Sequence, residues 1–215
     1  MLVEKPMTGA AVGAARLVEL AASSQRVLAV GHTEWWNPIW ARLLSVCGRP
    51  RRVSLERRHP ATGRGLDIDV IQDFMIHDLD WVRRTVDSEI VECEAEGRCV
   101  QGERVDEARA RLTFADGTEA SFEASRVHDE RIRCVEIEGT RGRARGDLIT
   151  GEIFEASSSA FDDGAADRME PLDRQLADLL EACRDGRAPV NAGEEAVETL
   201  QVVDRVRARV AEGAA

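Results

Sequence analysis

Residues 107–124 read Glu-Ala-Arg-Ala-Arg-Leu-Thr-Phe-Ala-Asp-Gly-Thr-Glu-Ala-Ser-Phe-Glu-Ala. Ala108, Ala110, Leu112 and Phe114 alternate with Glu107, Arg109, Arg111 and Thr113, and Thr118, Ala120, Phe122 and Ala124 alternate on the return. A period of two sends one set of side chains to a buried face and the other toward water. The intervening Asp116-Gly117 supplies a tight turn, so the stretch predicts an antiparallel hairpin covered on one face. Residues 131–138 and a stretch around 147–155 read as further strands. From about residue 51 the chain therefore predicts a mostly antiparallel sheet.

Upstream the pattern differs. Thr8 is a candidate cap for a helix to about Ser24, with Ala11, Ala15, Val18 and Ala22 on one face. Residues 27–30 are a continuous apolar run ending at Gly31, as in a buried parallel strand. Asn37-Pro38 suits the start of a second helix, because Asn caps and Pro is tolerated at the first helical position. Strand and helix alternating at this spacing read as the end of a doubly wound sheet. Downstream, Leu172, Leu176, Leu179 and Cys183 mark an amphipathic helix stopped near Gly186. Asn191 with Glu194 resembles a capping box before a last helix carrying Val197, Leu200, Val203, Val206 and Val210. Residues 157–167 read as a polar loop.

The expected fold class is thus α/β plus α+β: the C-terminal end of a Rossmann-type domain, then an open, mostly antiparallel sheet with helices on one face. The expected division is 1–50, 51–170 for the sheet, and 171–215 for helices packing back.

Composition narrows the function classes. The net charge of -11 argues against a general affinity for nucleic acid or an anionic membrane. Five cysteines without CxxC spacing, no signal peptide and no long apolar span suit reduced thiols in a cytoplasmic protein. Scattered His and Cys make a metal site unexpected. Arg49, Arg51, Arg52, Arg57 and Arg58 form a local basic run. Its ordinary reading is a solvated loop or strand edge; contact with an anionic sugar nucleotide is the alternative.

The segment Asp73-Phe-Met-Ile-His77-Asp-Leu-Asp80 carries the most chemistry. On a helix Asp73, His77 and Asp80 share one stripe, opposite Met75, Leu79, Val82 and Val86. The stripe is either a solvent-facing polar face or a general base with orienting carboxylates.

Taken in order, Val3-Glu4-Lys5-Pro6, residues 30–38 (Val-Gly-His-Thr-Glu-Trp-Trp-Asn-Pro), the Asp73–Asp80 segment, Asp106-Glu107-Ala108, Asp116-Gly117, Ala124-Ser125-Arg126 and Glu170-Pro171-Leu172 resemble the Gfo/Idh/MocA family of NAD(P)-dependent oxidoreductases. The Met-Ile-His-Asp-Leu-Asp wording looks most like the UDP-N-acetylglucosamine 3-dehydrogenase branch. The resemblance implies oxidation or reduction of a hydroxyl on a sugar or nucleotide sugar with NAD or NADP. It implies Lys5, Asp73 and His77 as catalytic residues and Glu4, Lys5 and Trp35 at the cofactor. It further implies Asn37, Arg58, Asp73 and His77 at the substrate. Related proteins commonly carry Arg where Trp35 stands, so stacking replaces a charged contact there. The family also implies a homo-oligomer, since the sheet leaves an apolar or mixed face that two subunits cover for each other.

No GxGxxG occurs; Gly139, Gly142 and Gly146 have another spacing. Met1 falls inside what is a strand of the family's nucleotide-binding domain. The expectation is a chain lacking the front of that domain, through truncation, a misassigned start or a separately encoded half. The competing expectation is a non-catalytic remnant or partner subunit acting as an oligomerisation module.

Overall fold

A computed structural model describes residues 1–63, 67–156 and 169–213; the polar stretch expected to loop over 157–167 lies outside them. Seven strands form one sheet in the order β4-β5-β6-β3-β7-β8-β9. They are β3 (Pro50–Arg58), β4 (Ile90–Arg98), β5 (Glu107–Phe114), β6 (Glu119–Ser125), β7 (Ile132–Gly139), β8 (Arg143–Asp147) and β9 (Ile153–Ala156). The expected β5–β6 hairpin forms, with Glu107 opposite Ser125 and Thr113 opposite Glu119. Gly117 turns it at φ 84°, and Asp116 Oδ1 accepts the Thr118 N–H at 3.0 Å. Only β3 and β6 run parallel; the other neighbours are antiparallel. The stretch around 147–155 holds the end of β8 and most of β9, with a turn between them in which Asp147 Oδ1 accepts the backbone N–H groups of Ile149 and Thr150.

One face of the sheet is covered by α2 (Ile39–Cys47), α3 (Ile76–Val86) and α5 (Gly193–Gly213). Val53, Leu55, Leu112, Phe114, Phe122, Val135 and Ile137 point into that layer and are buried. Leu43, Leu79, Val82, Val203 and Val206 meet them from the helices. Each large apolar side chain so buried contributes about 1.5–3 kcal/mol. Trp40 of α2 stacks on Trp81 of α3 with ring centroids 3.9 Å apart, locking the two helices side by side.

Only Arg49 of the basic run lies in an exposed connection; Arg51, Arg52, Arg57 and Arg58 lie on β3, the central strand, with Arg51 and Arg52 outward and Arg57 inward in phase with Val53 and Leu55. The uncovered face is charged rather than apolar. Across it Arg109 meets Glu96 and Glu123, Arg52 meets Glu119 and Glu138, and Arg143 meets Glu136.

The N-terminal part holds β1 (Leu2–Val3) and β2 (Ala29–Val30), paired in parallel, with α1 (Ala11–Ser23) between them. Ala192 and Asn191 flank the other side of β2, so that edge is not open. Thr8 does not cap α1; its hydroxyl bonds to the Ala10 carbonyl, and the Ala11 N–H is taken by Asp204 of α5 at 2.8 Å. The buried line of α1 is Ala14 and Ala21, while Ala22 is exposed, because α1 packs on α5 along that line.

Two helix faces differ from expectation. In α4 (Pro171–Asp185), Leu172, Leu176 and Cys183 are exposed, while Gln175 and Asp178 point inward. Gln175 bonds Thr33 and Asn191, and Asp178 accepts the Val190 N–H, so polar links hold this helix. Asn191 is correspondingly not a capping residue: it donates to the His32 carbonyl and accepts from Arg84. The stripe of Asp73, His77 and Asp80 is not a solvent-facing one, since Asp80 is buried. A π turn at Ile71–Met75 precedes α3, a local widening often found at functional sites.

Candidate active site

Lys5 follows directly on β1, and the π turn carries Asp73 to meet it. Lys5 Nζ donates to the Asp73 carbonyl at 2.6 Å and to Asp73 Oδ1 at 3.0 Å. His77 stands one turn further along, in α3. These three line one side of a cleft of about 190 Å³, with Arg57, Arg58, His59, Phe74, Arg131 and Arg133 as its other walls. The ends of β3 and β7 thus supply cations, and the helix supplies the histidine and carboxylate. His59 meets Phe74 edge-on at 6.3 Å, giving the mouth a short aromatic rim.

The floor is rigid. Arg57, 4% exposed, bonds Asp78 through Nε at 3.1 Å and Nη2 at 2.6 Å. Glu34 lies 3.5 Å from Arg57 and 3.2 Å from Arg133, tying the two arginines together. Burial alone would weaken the charge on Arg57, but Asp78 and Glu34 reverse that and hold it protonated.

His77 is held neutral. Burial lowers its pKa well below the usual 6.5, and the positive charges of Arg57 and Lys5 push the same way. Its Nδ1 is buried with no partner among the described residues. A neutral imidazole with an unengaged nitrogen can accept a proton near neutral pH.

Behind the cleft lies a second buried histidine. His32 Nδ1 sits 3.8 Å from Asp80 Oδ2, and Asp80 also takes the Thr199 hydroxyl at 2.7 Å and faces Arg84 at 3.5 Å. Burial lowers the His32 pKa and outweighs the pull of Asp80. Both histidines are therefore deprotonated in the fold, whereas the unfolded chain titrates them near 6.5. The unfolded state binds more protons below that value, so stability is full above about pH 6.5 and falls as pH drops, by up to about 1.4 kcal/mol per pH unit per histidine. Urea unfolding at about pH 7.5 and 5.5 should show this loss, and His77→Ala should reduce it. An unchanged midpoint would contradict the burial of both rings as neutral groups.

The residues expected at a site are only partly brought together. Lys5, Arg58, Asp73 and His77 converge on the cleft. Glu4 is exposed beside Gly31, where a Cβ would come within 2.8 Å of its carboxylate. Trp35 packs under Arg84, whose guanidinium carbon is 3.7 Å from the ring centroid. Asn37 lies apart: it bonds Glu34 and the Leu148 carbonyl and receives the Ile39 N–H at the start of α2. Arg57, His59, Phe74, Arg131 and Arg133 are additions. Arg57 leaves one trace in the sequence, a charge on the inward phase of Val53 and Leu55. Arg133 depends on β7 pairing it opposite Arg57, which no local pattern announces.

Residues 42–145 match the GFO/IDH/MocA C-terminal domain. UDP-N-acetylglucosamine 3-dehydrogenase of Acidithiobacillus ferrooxidans is 39% identical over 137 residues, 63% of this chain and 44% of that protein. The chain thus spans less than half the length of this curated relative in the match. A solved structure of UDP-N-acetylglucosamine 3-dehydrogenase GnnA from the same organism superposes with a TM-score of 0.87 at 31% identity, covering 97% of this chain and 69% of that one. GenD2 from gentamicin A biosynthesis, solved in complex with NAD, shares the fold with a TM-score of 0.80 at 20% identity, over 99% of this chain and 69% of its own.

Proposed function

The chain belongs to the Gfo/Idh/MocA family of oxidoreductases, and on that premise we propose that its cleft serves NAD(P)-dependent oxidation or reduction of a hydroxyl on a sugar or nucleotide sugar. The observation that carries this reading is the convergence of Lys5, Asp73 and a neutral His77 on one cleft. His77 accepts the hydroxyl proton on oxidation and returns it on reduction. Lys5 stabilises the alkoxide that forms as the proton leaves, its ammonium held by Asp73. Asp73 orients that ammonium, and Arg58 contacts the substrate; Asn37 acts by fixing the start of α2 rather than by touch.

The nicotinamide, when bound, takes or gives the hydride. The residues present fit its end of the dinucleotide: Lys5 reaches the cleft, the exposed Glu4 carboxylate lies beside it in sequence, and Trp35 offers a ring edge already braced by Arg84. None of the 17 glycines makes a GxGxxG loop, so these 215 residues do not offer the pyrophosphate that set of backbone donors. Calorimetry should accordingly find NAD(H) binding to the 215 residues weak or absent. Tight, stoichiometric binding would reveal another phosphate site and contradict this expectation. Activity is tested by supplying a dinucleotide-binding segment, fused ahead of Met1 or as a second chain, and following nicotinamide reduction with sugars and nucleotide sugars. NAD(P) binding without turnover on any of them would overturn the reading.

A second role rests on the charged open face. Rows such as Glu96, Arg109 and Glu123 alternate in sign from strand to strand, so a second copy meets opposite charges when the two-fold axis falls between two strands. We read it as the surface of a homo-oligomer, the alternative to catalysis if the cleft proves inactive. Light scattering should show a dimer or larger species that dissociates as salt rises; a monomer at high concentration and low salt would count against it. All five cysteines are free and no helix among the described residues is long and apolar enough to cross a membrane, and we place the protein in the cytoplasm.

A further inference from the structure

Two segments deliver Lys5 and Asp73 to the cleft, and α5 ties them together from outside it. Lys5 lies on a stretch without helix or strand that runs from β1 to α1, and Asp73 lies on the π turn. Gly9 is near the end of the first stretch. Its carbonyl accepts Gln72 Nε2 at 2.8 Å and, more loosely, Arg207 Nη1 at 3.4 Å. Asp69 opens the second segment: its Oδ1 accepts the Gln72 N–H at 2.9 Å, and its carbonyl accepts the Asp73 N–H at 3.0 Å. Arg207 Nε donates to the remaining oxygen, Asp69 Oδ2, at 2.6 Å. One guanidinium of α5 therefore holds both segments, shortly after Lys5 and one turn before Asp73.

Asp69 and Gln72 are 6% and 3% exposed, so their polar atoms depend on these protein partners. Asp204, also on α5, takes the Ala11 N–H, and the same helix thereby fixes the start of α1. Neither Arg207 nor Asp69 lines the cleft; both stand in the wall of a separate groove of about 500 Å³. The chemistry of lysine makes this remote hold matter. Its ammonium is a point charge at the end of a flexible stem, so the 3.0 Å contact with Asp73 depends on how the two backbones sit relative to each other.

We infer that Arg207 and Asp69 are positioning residues for Lys5: their pair sets the spacing of the two segments at which the ammonium meets Asp73. They act on the chemistry through Lys5 and take no part in proton transfer. The placement of Lys5 is a property of this chain alone; its consequence for turnover rests on the sugar-hydroxyl reading.

Lys5 is the only lysine among the 215 residues, so isotopically labelled lysine reports it by NMR through a single set of side-chain signals. In the parent chain the two protons on its Cε should be distinct, because the bonds to Asp73 hold the stem in one orientation. Arg207→Ala should merge them. In the enzyme completed with a dinucleotide-binding segment it should also lower kcat about tenfold to a hundredfold, with KM within about threefold, the pattern of a misplaced catalytic group. Asp69→Asn keeps an acceptor for Gln72 and loses the charge facing Arg207. It should move both readouts the same way by less, and it decides the matter if Arg207→Ala does not fold. Arg209→Ala breaks an exposed pair on the same helix and should change neither. Equivalent Cε protons in the parent, or an unmoved Lys5 signal in the variants, would overturn the inference even if their melting temperatures fall, since the pair would then be merely structural. A kcat within about twofold of an active parent would overturn it too. A Lys5 signal that moves as expected, with no turnover of any sugar by the completed parent, would keep the positioning role and remove the oxidoreductase reading.

Discussion

His77→Ala lowers turnover about 10²–10⁴-fold in the enzyme completed with a dinucleotide-binding segment, the usual loss of one positioned acid–base group. The effect is chemical rather than structural, because the ring lines the cleft while Met75, Leu79 and Val82 carry the packing of that helix. Lys5→Ala loses rate by another route, through the alkoxide that its ammonium stabilises, and it also frees Asp73. Asp73→Asn is the milder change, since Lys5 keeps its bond of 2.6 Å to the Asp73 carbonyl. The pH profile separates these roles. A base whose pKa lies well below 6.5 keeps oxidation flat through neutral pH, with the acid limb displaced downward. Near-normal sugar oxidation by His77→Ala would strip the helix of its catalytic assignment.

Asp78→Ala has the largest expected effect on stability, a loss of about 3–5 kcal/mol, because it leaves a buried guanidinium without its main partner. Arg57 and Asp78 are 4% and 3% exposed, and their two-bond contact joins the central strand β3 to α3 directly under the cleft. Glu34, 3.5 Å from Arg57, offsets only part of the loss, being shared with Arg133. Replacing both members of the pair, Arg57→Met with Asp78→Leu, should recover much of the stability, since no unpaired charge remains. Urea unfolding of the two singles and the double provides the comparison. A midpoint for Asp78→Ala within about 1 kcal/mol of the parent would show the site to be wetter than its burial implies.

Much of the fold was legible because it rests on local patterns. Alternation over residues 107–124 with Asp116-Gly117 between predicts the β5–β6 hairpin and which of its side chains are buried. The inward phase of Met75, Leu79, Val82 and Val86 likewise predicts which side of α3 is buried. What escaped depends on partners distant in sequence. The cap of α1 comes from Asp204, on a helix at the other end of the chain. The face of α4 is decided by bonds from Gln175 and Asp178 to the segments around Thr33 and Val190, which outweigh its leucine spacing. For the site, Lys5, Asp73 and His77 were named from motif resemblance, and their meeting depends on β1 and the π turn lying side by side. Arg57 and Arg133 stayed hidden because an arginine run reads as surface until strand order places it centrally.

The most direct measurement follows deuterium from a nucleotide sugar labelled at the carbinol carbon into the nicotinamide, in the enzyme completed with a dinucleotide-binding segment. Mass spectrometry of the reduced cofactor should find the label, with transfer slowed about 10²–10⁴-fold by His77→Ala at unchanged NAD(P) binding. Bound NAD(P) that acquires no deuterium from any sugar offered, or label transfer indifferent to His77, would contradict catalysis at the Lys5–Asp73–His77 cleft.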